Sequence, residues 1–94
     1  MPKEMKKIKF LWVAKAQAAY MRMFEALDED YPDYRAVKAN ERAIEHWIGK
    51  MTQDKEEYFK IYEIIESGSF DIEDHTFKPI CNRLRELGYE IERC

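Results

Sequence analysis

The sequence predicts a mainly α fold: a three-helix antiparallel bundle with a small C-terminal strand–helix–strand appendage, four helices in all, forming a single helical domain over residues 1–94. Three observations predict it. Apolar residues recur at three- and four-residue steps through the first two-thirds of the chain, the signature of helices that bury one face. Only three glycines and three prolines are present, too few for the many tight turns of an all-β chain. Hydrophobic residues make up 46% and charged residues 37% of the chain, which places it outside the disordered class. A chain of this length hides roughly two-thirds of the surface it would expose unfolded, enough for one core and little more.

The first helix is predicted from Glu4 to Leu27, with Ile8, Trp12, Ala16, Ala19, Met23 and Leu27 on one stripe. Phe10, Leu11, Val13, Tyr20 and Phe24 widen its apolar surface, and Asp28–Asp30 followed by Tyr31 and Pro32 end it, because a residue before proline avoids the α region. A second helix fits Asp33–Met51, with Asp33 as N-cap, Lys50 suited to the C-terminal dipole, and Val37, Ile44, Trp47, Ile48 and Met51 buried. Gly49 weakens its last turn by about 1 kcal/mol relative to alanine. Thr52 reads as the N-cap of a third helix with Tyr58, Ile61, Tyr62 and Ile65 inward and Gly68 as its stop.

Beyond that point the pattern changes. Ser69–Glu73 alternates apolar and polar residues as a half-buried strand does, and Tyr89–Arg93 alternates again. Between them Thr76 caps a fourth helix with Pro79 in its first turn, Phe77, Ile80, Leu84 and Leu87 inward, and Gly88 ending it.

The net charge of −3 conceals blocks of opposite sign. Residues 1–27 carry six bases against two acids, residues 28–34 carry four acids, and residues 52–75 carry eight acids against two bases. Such a chain can steer a charged partner, and its helices can equally satisfy one another. Neither a secretory pattern nor an apolar stretch near the ~18 residues of a membrane span occurs, the longest apolar run being Phe10–Ala14. With two cysteines, Cys81 and Cys94, the expectation is free thiols in a reducing cytoplasm and no contact with membrane.

No catalytic constellation stands out. Cys81 with His46 or His75 is the one Cys–His pairing, and Cys81 falls on the inward side of its helix as a small hydrophobe. His46, His75, Cys81 and Cys94 have metal-ligand chemistry without metal-ligand spacing, and no glycine-rich phosphate loop is present. No enzyme, metal or cofactor is therefore expected.

Binding surfaces are better supported. The acids Glu56, Glu57, Glu63 and Glu66 make the third helix an acidic surface for a partner protein. Arg35, Lys38, Arg42 and His46 share one face of the second helix, beside Tyr31 and Tyr34. That stripe can hold phosphate through bidentate arginine and aromatic stacking. Phe10, Leu11, Trp12 and Val13 are consecutive and so point around the helix, which predicts a homodimer contact there. Over Glu56–Glu92 the order helix, strand, helix, strand resembles part of a winged helix, with Arg83 and Arg85 as groove-facing candidates. About ten residues between Glu66 and Phe77 are too few for a strand plus the first recognition-motif helix, and the local acidity repels DNA. The leading expectation is a small regulatory or inhibitory protein that binds a partner protein stoichiometrically, of the kind phages and mobile elements carry to block a host enzyme. The alternative is a nucleic-acid or nucleotide-phosphate binder using Arg35, Lys38 and Arg42.

Overall fold

In the computed structural model, which describes residues 6–69 and 77–91, the chain runs β1 (Lys6–Ile8), α1 (Phe10–Leu27), α2 (Tyr34–Met51), α3 (Lys55–Ser69), α4 (Lys78–Glu86) and β2 (Tyr89–Ile91). The described residues are thus mainly helical, with one two-stranded parallel sheet. α1 packs most extensively along α2 and less on α3, while α3 leans on α4 and touches α2 lightly.

The helix ends follow local chemistry. Asp33 caps α2, its Oδ1 accepting the N–H groups of Arg35 at 3.1 Å and Ala36 at 3.3 Å. α3 begins later than the sequence predicts. Thr52 terminates α2 instead, and Asp54 caps α3 through its Oδ1, which accepts the Glu56 N–H at 2.9 Å. α4 starts after Phe77 with Pro79 in its first turn, and Gly88 at φ +103° turns the chain out of it. A side chain is strained at that φ, which is why glycine stops this helix. The expected cap Thr76, and the expected strand beyond Ser69, lie outside the described residues, as does His75.

Two departures concern the first and third helices. α1 starts at Phe10 rather than Glu4, and Lys6–Ile8 is a strand pairing in parallel with β2 in the register Lys6–Tyr89, Lys7–Glu90, Ile8–Ile91. Lys9 has extended backbone and no side-chain cap, so no start signal for α1 is written in the sequence. α3 continues through Gly68 to Ser69, whose hydroxyl donates to the Ile65 carbonyl at 2.7 Å. The glycine is there for space: a Cβ at Gly68 would collide with the side chain of Ile80 on α4.

The core is one cluster drawn from every element. Ile8 and Ile91 from the sheet meet Val13, Ala16, Ala19, Tyr20 and Met23 of α1, Ile44 and Ile48 of α2, Ile61 and Ile65 of α3, and Ile80, Cys81 and Leu84 of α4. Burying each large aliphatic contributes about 1.5–3 kcal/mol. Trp47, predicted to be buried, is partly so: it packs against the rim of the core, because it sits about 60° round α2 from Ile44, on the side away from Ile48. Its ring meets His46 edge-on at 4.9 Å, with the Lys50 amine 6.0 Å away. Leu27 and Leu87, predicted inward, are exposed. Cys81 is wholly buried and disulfide-bonded, so the free-thiol expectation fails at this residue, and with it the cysteine argument for a reducing compartment.

The two helical glycines should respond oppositely to alanine. Gly49 has nothing within 4 Å of a built Cβ, so Gly49→Ala should gain about 0.5–1 kcal/mol from helix propensity. Gly68→Ala should lose about 1–2 kcal/mol, overpacking against Ile80 outweighing the same propensity gain. Urea unfolding of both variants checks the pair; equal shifts would contradict it.

Candidate functional site

At 100° per residue, α3 turns Glu57 and Glu66 away from the direction that Glu56 and Glu63 share. Glu57 points inward. Its Oε2 accepts the Tyr89 hydroxyl at 2.7 Å and the Thr52 hydroxyl at 2.8 Å, and lies 3.7 Å from the Lys6 amine. One carboxylate oxygen therefore joins the α2–α3 turn, β2 and β1. The Tyr89 and Thr52 hydrogen bonds hold the Glu57 carboxyl below its ordinary range, against a smaller opposing effect of burial. Tyr89, 2% exposed, is pushed up to about 12 by burial first and by its bond to Glu57 second. Thr52 also accepts the Asp54 N–H at 3.1 Å, so its hydroxyl both donates and accepts.

Glu66 has a similar attachment on another side of the helix. It hydrogen-bonds Tyr20 of α1, whose pKa rises to about 12, again mainly through burial. The Tyr20 ring meets Tyr62 edge-on at 5.8 Å. Glu56 and Glu63 remain on the outward face, engaged in no ion pair among the described residues. Between them lies Phe59, 63% exposed, a residue sequence reasoning passed over. A readable signal existed: an aromatic three residues after Glu56 and four before Glu63 falls on the polar side, not on the Ile61–Ile65 stripe.

Where α2 approaches α3, a groove of about 290 Å³ is lined by Glu41, Ile44, Glu45, Tyr58, Phe59 and Tyr62. The Tyr58 and Tyr62 rings are stacked at 6.5 Å with planes 22° apart. Burial raises both tyrosine pKa values, and neighbouring carboxylates add to it, Glu45 foremost at Tyr58 and Glu66 foremost at Tyr62. The groove has no basic lining residue, so it is electronegative.

On α2, Arg35, Lys38, Arg42 and His46 are all exposed on the side away from Ile44 and Ile48, as the spacing predicts. Tyr31 and Tyr34 beside them are 91% and 65% exposed. Among the described residues no ion pair engages these bases. Lys38 and Arg42 nevertheless alternate with Glu41 and Glu45 along the helix edge, so the basic stripe is mixed in sign where it nears α3.

The run predicted as a dimer contact is dispersed. Val13 is buried, Phe10 meets Phe77 edge-on at 5.1 Å, and Trp12 packs partly on the core with Lys50 over its ring. Only Leu11 of the four is largely exposed, at 53%. The domain therefore covers most of a surface that its size alone predicts it would leave open.

Among the described residues no group of three His, Cys, Asp or Glu side chains could hold a metal ion, Cys94 and His75 lying outside them. Within the same residues no helix is long and apolar enough to cross a membrane. Comparison with protein-family models, with characterised proteins and with solved structures returns no match.

The Glu57 cluster fixes a pH dependence. Because the folded-state pKa of Glu57 lies below its unfolded value, its stabilisation is present above the ordinary carboxylate range and is lost as pH falls through the folded pKa. Tyr89 works in the other direction: its stabilisation is full below ~10, the unfolded value, and is lost as pH rises through about 12. Tyr89→Phe should cost about 1–2 kcal/mol at neutral pH and should flatten the acid limb of stability against pH. Denaturation curves across pH check this; an unchanged acid limb would show that Tyr89 does not hold the Glu57 charge.

Proposed function

We propose that this chain is a non-catalytic regulatory protein that binds a partner protein stoichiometrically, with the outward face of α3 as its contact surface. The observation that supports this reading best is Phe59, a large aromatic left 63% exposed between the carboxylates of Glu56 and Glu63, which no ion pair among the described residues engages. Exposed aromatics are the side chains from which interface hot spots are built, because one of them buries much apolar area at little conformational cost. Flanking carboxylates favour a partner that brings basic groups to the rim, which raises the rate of encounter and fixes orientation. Glu57 and Glu66 anchor the same helix through Tyr89 and Tyr20, so the surface is presented by a held element. A helix face held in this way suits a blocking role, in which the protein occupies a site on an enzyme without acting chemically. The inhibitor of the mobile-element kind is the form of this reading that we favour.

A second reading has its own support. Arg35 and Arg42 project from α2 without ion-pair partners among the described residues, next to the exposed rings of Tyr31 and Tyr34. These groups suit phosphate and a stacked base, in a nucleic acid or a nucleotide. Glu41 and Glu45 on the adjoining edge weaken it, since they repel the same phosphate.

Affinity capture from lysate with quantitative mass spectrometry separates the two. A protein held by wild type and by Arg35→Glu/Arg42→Glu, but lost from Phe59→Ala and from Glu56→Lys/Glu63→Lys, is the expected result. Loss with the arginine pair alone, together with nucleic-acid retention that falls steeply with salt, would replace this reading by the second.

A further inference from the structure

Across the groove between α2 and α3, acids on one helix confront aromatic rings on the other. On α2, Glu41 and Glu45 are one turn apart and point within ~40° of each other, beside the buried Ile44. On α3, Tyr58 and Tyr62 are likewise one turn apart, flanking the Ile61–Ile65 stripe, with Phe59 beyond them at the rim. These six side chains bound the space of about 290 Å³.

The rings present faces in more than one direction. Tyr58 and Tyr62 are stacked, whereas Phe59 meets Tyr58 at 5.6 Å with the two planes 90° apart. Ring faces are electron-rich and attract cations, and the carboxylates add formal negative charge. Lys38 and Arg42, three residues before these acids, offset part of that charge from the outer side of α2. Among the described residues, however, no ion pair engages Glu41 or Glu45, and no basic side chain lines the groove. The acids act within it. Burial first and Glu45 second raise the Tyr58 pKa, while Glu66 and Glu41 add to burial at Tyr62.

The size and lining select the ligand. The volume falls just below the ~300–1,000 Å³ of pockets that enclose a whole small ligand, so a single side chain suits it better. A divalent cation needs a cage of oxygen ligands, which two carboxylates among aromatic rings do not supply. An ammonium group is compact and strongly hydrated. A guanidinium is weakly hydrated, stacks flat on a ring and meets carboxylates through a rigid fork of donors.

We propose that this groove seats an arginine side chain of the partner protein, its guanidinium bonded to Glu41 and Glu45 and stacked against the rings of Tyr58 and Phe59. This rests on the reading of α3 as the partner-contact face and gives that contact its specificity. Phe59 belongs to both surfaces, so the arginine enters beside the apolar contact.

The test uses the full chain and a defined probe, arginine blocked at both ends as its N-acetyl methylamide. Titrated at low salt and followed by NMR, it should shift Tyr58, Phe59, Tyr62, Glu41 and Glu45 with a millimolar dissociation constant. The blocked citrulline analogue, of the same shape without charge, should shift none of them, and blocked lysine should bind more weakly. Glu41→Gln/Glu45→Gln changes two exposed side chains, so it should stay folded by circular dichroism and weaken arginine binding roughly tenfold or more. The same variant should also lose the captured protein that Phe59→Ala loses. Citrulline binding as well as arginine, or arginine shifts spread over Glu56 and Glu63 and not the groove, would overturn the proposal. A protein lost from Phe59→Ala and Glu56→Lys/Glu63→Lys but held by Glu41→Gln/Glu45→Gln would overturn it too, leaving partner binding through α3 intact. If those α3 variants lose no captured protein, the partner reading itself fails, and the arginine seat with it.

Discussion

A two-stranded parallel sheet of three residues per strand cannot stand alone, yet in this protein it joins the first described residues to the last. Its stability is borrowed from the core beneath it and from one carboxylate. Glu57 receives the Tyr89 hydroxyl from β2, the Thr52 hydroxyl from the α2–α3 turn and the Lys6 amine from β1. Tyr89 and Thr52 are both buried, so each hydroxyl would leave a desolvated polar group behind if the carboxylate were removed. Ile8 and Ile91 then close the core from the strand side. The direction in which α3 leaves α2 follows from the same bond, because Thr52 sits where α2 ends and Asp54 starts α3 two residues later.

The Glu66–Tyr20 bond repeats the device on another flank of α3, towards α1. Two of the four acids on this helix thus serve the fold and two, Glu56 and Glu63, do not. That division is what gives the outward face its character: Phe59 and two carboxylates outside any ion pair of the described residues, on an element held from two sides. α2 divides in a related way, with its inward face apolar and its edge carrying acids and bases in alternation.

Much of this is legible in the chain. The boundaries of α2, the end of α1 at Leu27, the stop at Gly88 and the burial of Ile61, Ile65, Ile80 and Leu84 all follow from periodicity and capping, which act over a few residues. What is not legible depends on distant partners. Ile8 fits a helical stripe as well as a strand, and the strand that claims it begins at Tyr89, near the other end of the chain. Gly68 reads as a helix stop until Ile80 is placed against it. Glu57 reads as one more acid favoured by a helix dipole, because nothing near it in sequence announces Tyr89. Thr52 and Asp54 are equally good caps by type, and the burial of Thr52 decides between them. The basic stripe on α2 follows from spacing alone, yet its interleaving with Glu41 and Glu45 carries more of its meaning than its own four residues do.

If the Glu57 carboxylate is the tie among turn and strands, replacing it should loosen those elements before the rest of the fold. Native-state amide hydrogen exchange on Glu57→Gln measures this residue by residue. The account predicts that the amides of β1, β2 and the first turn of α3 lose protection together, while those of α1 and α2 facing Ile44 and Ile48 keep most of theirs. Strand amides protected as in the wild type would contradict it.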